Sequence, residues 1–193
     1  MAASIATHYC PSCGMHVSTY SVPRPAGIEI RCAPCGLPLS LEATPPLRGL
    51  ACIMIADDDR FFRSVLTDIL NERGLTTNVI AAESGPHFLT LAVERFRQNL
   101  PIKLAILDVL MQPLDGVATA LALRAIEQGL KVPQPTPVLF LSTARLDDAT
   151  YRLLSQCRPA RYLNKGLDAT PDRLGPRLDN IIGHLFRPEL QQS

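Results

Sequence analysis

Leu50-Ala51-Cys52-Ile53-Met54-Ile55-Ala56-Asp57-Asp58-Asp59 is a continuous apolar run that stops abruptly on three carboxylates. An uninterrupted run of this length is the pattern of a strand covered on both faces, as in a parallel sheet. Downstream, Phe62, Leu66, Ile69 and Leu70 recur at helical spacing, with Asp59 placed to cap the helix and Gly74 to end it. The same alternation then repeats. Thr76–Ala81 is β-rich, and Pro86–Phe96 is helical and ends before Pro101. Leu104–Leu107 is an apolar run halted at Asp108, followed by a helical stretch from Gly116 to Gln128. Val138–Leu141 is halted at Ser142, with a helix over Asp147–Gln156; Arg161–Leu163 and Leu174–Phe186 form the last strand and helix. Five strand–helix units in strict alternation predict a parallel α/β sheet with helices on both faces and right-handed crossovers.

In such sheets chemistry gathers beyond the carboxyl ends of the strands, where strand order reverses. The residues at those ends are Asp57, Asp58 and Asp59 after the first strand, Asp108 after the third, Ser142 after the fourth and Lys165 after the fifth. Carboxylates this dense repel one another unless a cation neutralises them, and a hard divalent ion with oxygen ligands, Mg2+ above all, is the natural choice. A hydroxyl and an ammonium at the same place suit the oxygens of a phosphoryl group. Asp59 reads as a helix cap rather than a ligand, and Asp115 as the cap of the helix beginning at Gly116. The chain has only three lysines, so one falling just beyond the fifth strand is informative.

The segments Ile53–Asp59, Leu107-Asp108-Val109-Leu110-Met111-Gln112-Pro113-Leu114-Asp115-Gly116, Pro137–Ser142 and Tyr162-Leu163-Asn164-Lys165 together resemble the receiver domain of two-component response regulators. The resemblance spans about two thirds of the chain. It implies a flavodoxin-like strand order 2-1-3-4-5. It implies that Asp57 and Asp58 are the acidic pair holding Mg2+, and that Asp108 is the phosphoacceptor and a further ligand. The backbone carbonyl of Leu110 would complete the protein's ligand set. Ser142 matches the switch hydroxyl, Lys165 the lysine that pairs with phosphoryl oxygen, and Tyr162 the aromatic that changes rotamer with the switch. Thr143 is a rival to Ser142, disfavoured by counting along the strand from Pro137. Two positions depart from the family pattern: Gln112 stands where a proline is usual, with Pro113 one place later, and Gly166 stands where a proline follows the lysine.

The N-terminal part differs in character. Cys10-Pro11-Ser12-Cys13-Gly14 and Cys32-Ala33-Pro34-Cys35-Gly36 are two near-identical knuckles, with Ile28-Glu29-Ile30 alternating like a strand before the second. Each knuckle aims two thiolates at one point, and the glycine permits the turn's positive φ. Two knuckles make the closed four-cysteine set of a structural Zn2+, through Cys10, Cys13, Cys32 and Cys35, and the segment resembles a zinc ribbon. Rubredoxin-type iron uses the same donors, but no aromatic-rich iron pocket is evident. His8 and His16 read as bystanders, and Cys52 and Cys157 as core thiols. A segment of this size cannot bury enough surface to fold unaided, so metal binding would supply much of its folding free energy.

The expected division is a zinc ribbon over 1–43, a Pro-Pro linker over 44–49, a receiver over 50–187 and a tail over 188–193. The formal net charge is +1, and residues 1–49 hold no lysine and three arginines offset by Glu29 and Glu42, which counts against a nucleic-acid footprint. No signal peptide is recognisable, and no apolar run reaches the roughly 18 residues of a membrane span, so a cytoplasmic protein without a membrane partner is expected. The leading expectation is a phosphorelay regulator rather than a turnover enzyme. It would accept and slowly lose its own phosphoryl group. Its expected partners are a sensor histidine kinase or phosphotransfer protein and a downstream protein, since too few residues follow 187 for a C-terminal output domain. Two rival expectations remain: a ribbon that reads DNA under receiver control, and an aspartyl-phosphate phosphatase, whose Asp-x-Asp first-strand motif Asp57-Asp58-Asp59-Arg60-Phe61 fits poorly.

Overall fold

The computed structural model describes residues 7–25, 27–39, 47–144, 148–166 and 170–186, so residues 44–46 of the expected linker and the expected tail at 188–193 lie outside the described residues. The cysteine-bearing part holds β1 (His8–Cys10) paired antiparallel with β2 (Met15–Val17), and β3 (Thr19–Arg24) paired antiparallel with β4 (Gly27–Cys32). Each knuckle is closed by a backbone bond, Gly14 N to Cys10 O and Gly36 N to Cys32 O, both 2.8 Å. Both glycines sit at positive φ, +70° and +69°, as the turn chemistry requires.

Five parallel strands follow: β5 (Ile53–Ala56), β6 (Val79–Ala82), β7 (Leu104–Asp108), β8 (Val138–Ser142) and β9 (Ala160–Asn164). Their order is β6-β5-β7-β8-β9, which is the flavodoxin-like 2-1-3-4-5. The strand alternation sorts the side chains into two cores. Ile53, Ile55, Leu104, Ile106, Leu139, Leu141 and Leu163 face one side, where α1 (Arg60–Glu72) and α5 (Pro171–Leu185) cover them. Met54, Ala56, Ala105, Leu107, Val138 and Phe140 face the other, under α2 (Gly85–Arg97) and α3 (Gly116–Gly129), with Leu154 of α4 (Asp148–Gln156). Both faces of the sheet are therefore sealed, which is why the strands read as unbroken apolar runs.

Asp59 caps α1 by accepting from Phe61 N at 2.8 Å and Phe62 N at 3.3 Å, and Asp115 caps α3 by accepting from Ala118 N at 2.7 Å. Two of the boundaries that differ from the sequence expectation have clear local causes. The second strand begins at Val79, not Thr76, because Thr76 Oγ1 donates to Leu50 O at 2.7 Å and accepts from Asn78 N at 3.0 Å. A threonine bonding its local backbone holds a turn in place of a strand ladder. The last helix begins at Pro171 rather than Leu174; proline's missing N–H costs nothing at a first helical position. Cys52 and Cys157 are fully buried, and burial pushes both thiols up, so they are inert core groups. No helix among the described residues is long and apolar enough to cross a membrane.

Candidate functional site

The carboxyl ends of β5, β7 and β8 and the residue after β9 converge on one polar pocket. Asp57 follows the last residue of β5 and is buried; its Oδ1 accepts from Asp59 N at 2.9 Å. Asp58 is exposed beside it. Asp108 is the final residue of β7, buried, and its Oδ1 accepts from Leu110 N at 3.3 Å. Asp57, Asp58 and Asp108 each present a carboxylate oxygen within 4.8 Å of the others.

Lys165 is 5% exposed, and its ammonium lies 2.7 Å from Asp57 Oδ2 and 3.1 Å from Asp108 Oδ2. It also stands 4.0 Å over the Phe62 ring, a cation–π contact that fixes the side chain from the α1 side. Burying an ammonium is costly unless it is paired, and two carboxylates pair with this one. Burial raises the Asp108 carboxyl above its ordinary range, Lys165 lowers it, and the Asp57 charge raises it again. Three carboxylates against one ammonium leave an excess of negative charge. A divalent cation with oxygen ligands fits that excess and that donor set.

Ser142 ends β8, is buried, and accepts from Ala144 N at 3.1 Å through its hydroxyl, while Thr143 is exposed. Lys165 N donates to Ser142 O at 2.7 Å, tying the ends of the last two strands together. Tyr162 is buried; its hydroxyl donates to Ala144 O at 2.9 Å and accepts from Asn164 Nδ2 at 3.0 Å. Leu110 is exposed beside Asp108. Asp57, Asp58, Asp108, Leu110, Ser142 and Lys165 thus fall at or next to one end of the sheet, while Tyr162 lies in the middle of β9, opposite Phe140. Gly166 has φ +83° immediately after Lys165, a backbone conformation that favours glycine over proline, whose ring fixes φ negative.

Three contributors were not picked out from the sequence. Gly116 begins α3 so close to the acceptor strand that an added Cβ would lie 2.1 Å from Asp108 O. Arg63 donates to Asp57 O at 2.6 Å, and Asn164 Nδ2 donates to Ala144 O at 3.1 Å. Gly116 and Asn164 were visible as parts of motifs, but their contacts were not; Arg63 carries no sequence signal.

The four knuckle thiols form the second cluster, also within 4.8 Å of one another. Cys10 Sγ to Cys35 Sγ is 3.5 Å and Cys13 Sγ to Cys32 Sγ is 3.7 Å. Disulfides would need about 2.05 Å. A tetrahedron of thiolates about 2.3 Å from a zinc ion has edges of about 3.8 Å. The donor set and its spacing fit Zn2+. The thiols of Cys10, Cys13 and Cys32 all turn toward Cys35 and push it down, while contact with neighbouring thiols pushes Cys13 and Cys32 up. His8 and His16 are not part of this cluster.

Residues 53–174 match the response regulator receiver domain family. The chain belongs to that family. Among solved structures the receiver resembles that of the histidine kinase CKI1 from Arabidopsis thaliana, crystallised with Mg2+ and BeF3−. The identity is 24% over 72% of this chain and 91% of that chain, with a TM-score of 0.60. It is also similar to the receiver of the putative response regulator NarL from Mycobacterium tuberculosis, with 27% identity over 69% of this chain and 94% of that one and a TM-score of 0.50. A third likeness is to the CheX–CheY–BeF3−–Mg2+ complex from Borrelia burgdorferi, with 20% identity over 69% and 90% and a TM-score of 0.51. A search of the curated proteins finds no match to the chain.

Proposed function

We propose that this receiver takes a phosphoryl group onto Asp108 from a sensor histidine kinase or phosphotransfer protein, and that the change is read by a partner protein. The observation that carries this reading is the meeting of Asp57, Asp58 and Asp108 within 4.8 Å around the buried Lys165 ammonium. An Asp108 oxygen forms the new P–O bond as the donor's P–N bond breaks, its electron pair remaining on the donor imidazole. Asp57, Asp58, Asp108 and the Leu110 carbonyl would hold Mg2+, which supplies charge neutralisation at the phosphoryl oxygens. Lys165 orients the acceptor carboxylate and pairs with phosphoryl oxygen, and Ser142 offers its hydroxyl to another. Tyr162 is the aromatic placed to respond when the Ser142 loop shifts. The group is lost slowly by hydrolysis, so the protein is a switch rather than a turnover enzyme.

The proposed division is a ribbon over 1–43, a linker over 44–49 and the receiver over 50–187. Cys10, Cys13, Cys32 and Cys35 would hold a structural Zn2+. Arg24 and Arg31 both pair with Glu29, which leaves the described ribbon little free positive charge for a phosphate backbone and favours protein contacts over DNA.

The test is incubation of the full chain with Mg2+ and acetyl phosphate, wild type beside Asp108→Ala. Wild type gains acid-stable, hydroxylamine-labile phosphate and the variant gains none. Equal labelling of both, or labelling of neither, defeats the proposal.

A further inference from the structure

The first cysteine knuckle lies against the outer edge of the sheet, on the residues that flank the phosphoryl pocket. β9 is an edge strand, and its free side is taken up by Ser12, which sits inside Cys10-Pro11-Ser12-Cys13. Asn164 N donates to Ser12 O at 2.8 Å, and the Ser12 hydroxyl donates to Tyr162 O at 2.6 Å. One residue of the metal turn thus holds the backbone of both Tyr162 and Asn164. Arg177 of α5 closes the joint from the other side, donating to Pro11 O at 2.8 Å, to Ser12 O at 3.3 Å and to Asn164 O at 2.6 Å. Its guanidinium lies so close to the turn that a Cβ on Gly14 would stand 2.7 Å from it and would have to displace it, at a position whose φ of +70° already favours glycine. The second knuckle is held too, because the Tyr151 hydroxyl of α4 donates to Cys35 O. The ribbon's buried Cys10, Val17, Cys32, Cys35 and Leu37 are continuous with the core under α1 and α5.

The strand residues so gripped are wired to the pocket. Tyr162 Oη and Asn164 Nδ2 bind Ala144 O, two residues past Ser142, and Lys165 follows Asn164 directly. A phosphoryl group on Asp108 draws the Ser142 hydroxyl and the Lys165 ammonium to new oxygen partners. Beside the Tyr162 ring, between ribbon and receiver, is a cavity of about 290 Å3 lined also by Cys13, Val17, Pro34, Tyr151 and Asn164, which gives the ring space to move.

We infer that the cysteine knuckles clamp β9 against the shift that follows phosphoryl binding, so that metal held by the four cysteines and phosphoryl held at Asp108 oppose each other. The Ser12 and Arg177 bonds fix the backbone of Tyr162 and Asn164, so a shift of Ser142–Ala144 or of β9 strains them. Coupling between two binding sites is reciprocal: phosphoryl weakens the metal site, and loss of the metal strengthens the pocket's hold on phosphoryl by the same factor. This inference rests on the proposed phosphoacceptor role of Asp108.

The test uses the full zinc-loaded chain. Its zinc affinity is measured by competition with a chromogenic chelator, in Mg2+ alone and in Mg2+ with beryllofluoride, while fluorine NMR monitors occupancy of the Asp108 pocket. The expected result is zinc affinity weakened at least about fivefold by beryllofluoride, the low end of usual couplings. The effect falls below about twofold in Arg177→Ala and is intermediate in the milder Tyr151→Phe. Beryllofluoride that binds yet leaves the wild-type zinc affinity unchanged, or tightens it, overturns the clamp with the pocket reading intact. A full response in Arg177→Ala also overturns it. Absence of beryllofluoride binding overturns the phosphoacceptor reading itself, and the clamp with it.

Discussion

Replacing Lys165 with alanine removes the positive charge that stands 2.7 Å from Asp57 Oδ2 and 3.1 Å from Asp108 Oδ2. At an effective dielectric near 20, each contact is worth about 5–6 kcal/mol of gross attraction. Desolvating the ammonium returns several kcal/mol of that, so the expected net loss is about 3–5 kcal/mol, the usual cost of stranding buried charge. The dependence on conditions is diagnostic. Lys165 lowers the Asp108 carboxyl, whereas burial and Asp57 raise it, so the substitution drives that carboxyl further above its unfolded value. A carboxyl raised in the folded state binds more protons folded than unfolded, so its destabilising effect is present above the folded pKa and fades as pH falls through it. The variant's deficit in urea unfolding, measured without Mg2+, is therefore largest at neutral pH and shrinks on acidification. Mg2+ stabilises both chains, by about 2.7 kcal/mol at a hundredfold excess over the dissociation constant, and narrows the deficit by the factor by which the variant, lacking the competing ammonium, binds it more tightly. A deficit below about 1 kcal/mol at neutral pH, or one that grows on acidification, refutes this electrostatic account of the pocket.

Gly116→Ala sets a Cβ 2.1 Å from Asp108 O, against backbone that cannot yield without moving the acceptor. It should cost about 1–3 kcal/mol in urea unfolding and slow phosphoryl uptake together. Asp59→Ala removes the two cap bonds of α1, for about 1 kcal/mol, and lowers the melting temperature by about 2–4 °C. Cys32→Ser should abolish stoichiometric zinc in metal analysis. It should also speed hydrogen exchange through β1–β4 while β5, β7 and β8 stay protected.

Much of this arrangement was legible before any coordinates. Ile53–Ala56 and Leu104–Leu107 announced buried parallel strands because both faces of the sheet are covered, and Asp57, Asp108 and Ser142 stood out because each interrupts such a run. Asp59 and Asp115 were readable as caps since capping is a local interaction. Thr76 misled because β-propensity cannot reveal a hydroxyl that prefers Leu50 O and its own turn. Pro171 hid the start of α5, since the apolar spacing that marks the helix begins only at Leu174 and a proline at a first helical position adds nothing to it. The joint between Ser12, Asn164 and Arg177 left no trace in sequence. Pro11 and Arg177 are 166 positions apart, the bonds go to backbone carbonyls and amides that every residue possesses, and no periodicity records them.

The central claim is that Asp108, among the carboxylates of the pocket, receives the phosphoryl group. The most direct measurement treats the acetyl-phosphate-labelled protein with borohydride, which reduces an aspartyl phosphate to homoserine, and locates the conversion by peptide mass spectrometry. Conversion at Asp108, dependent on Mg2+ and absent at Asp57 and Asp58, is the predicted result. Conversion at Asp57 or Asp58, or at none of the three, contradicts it.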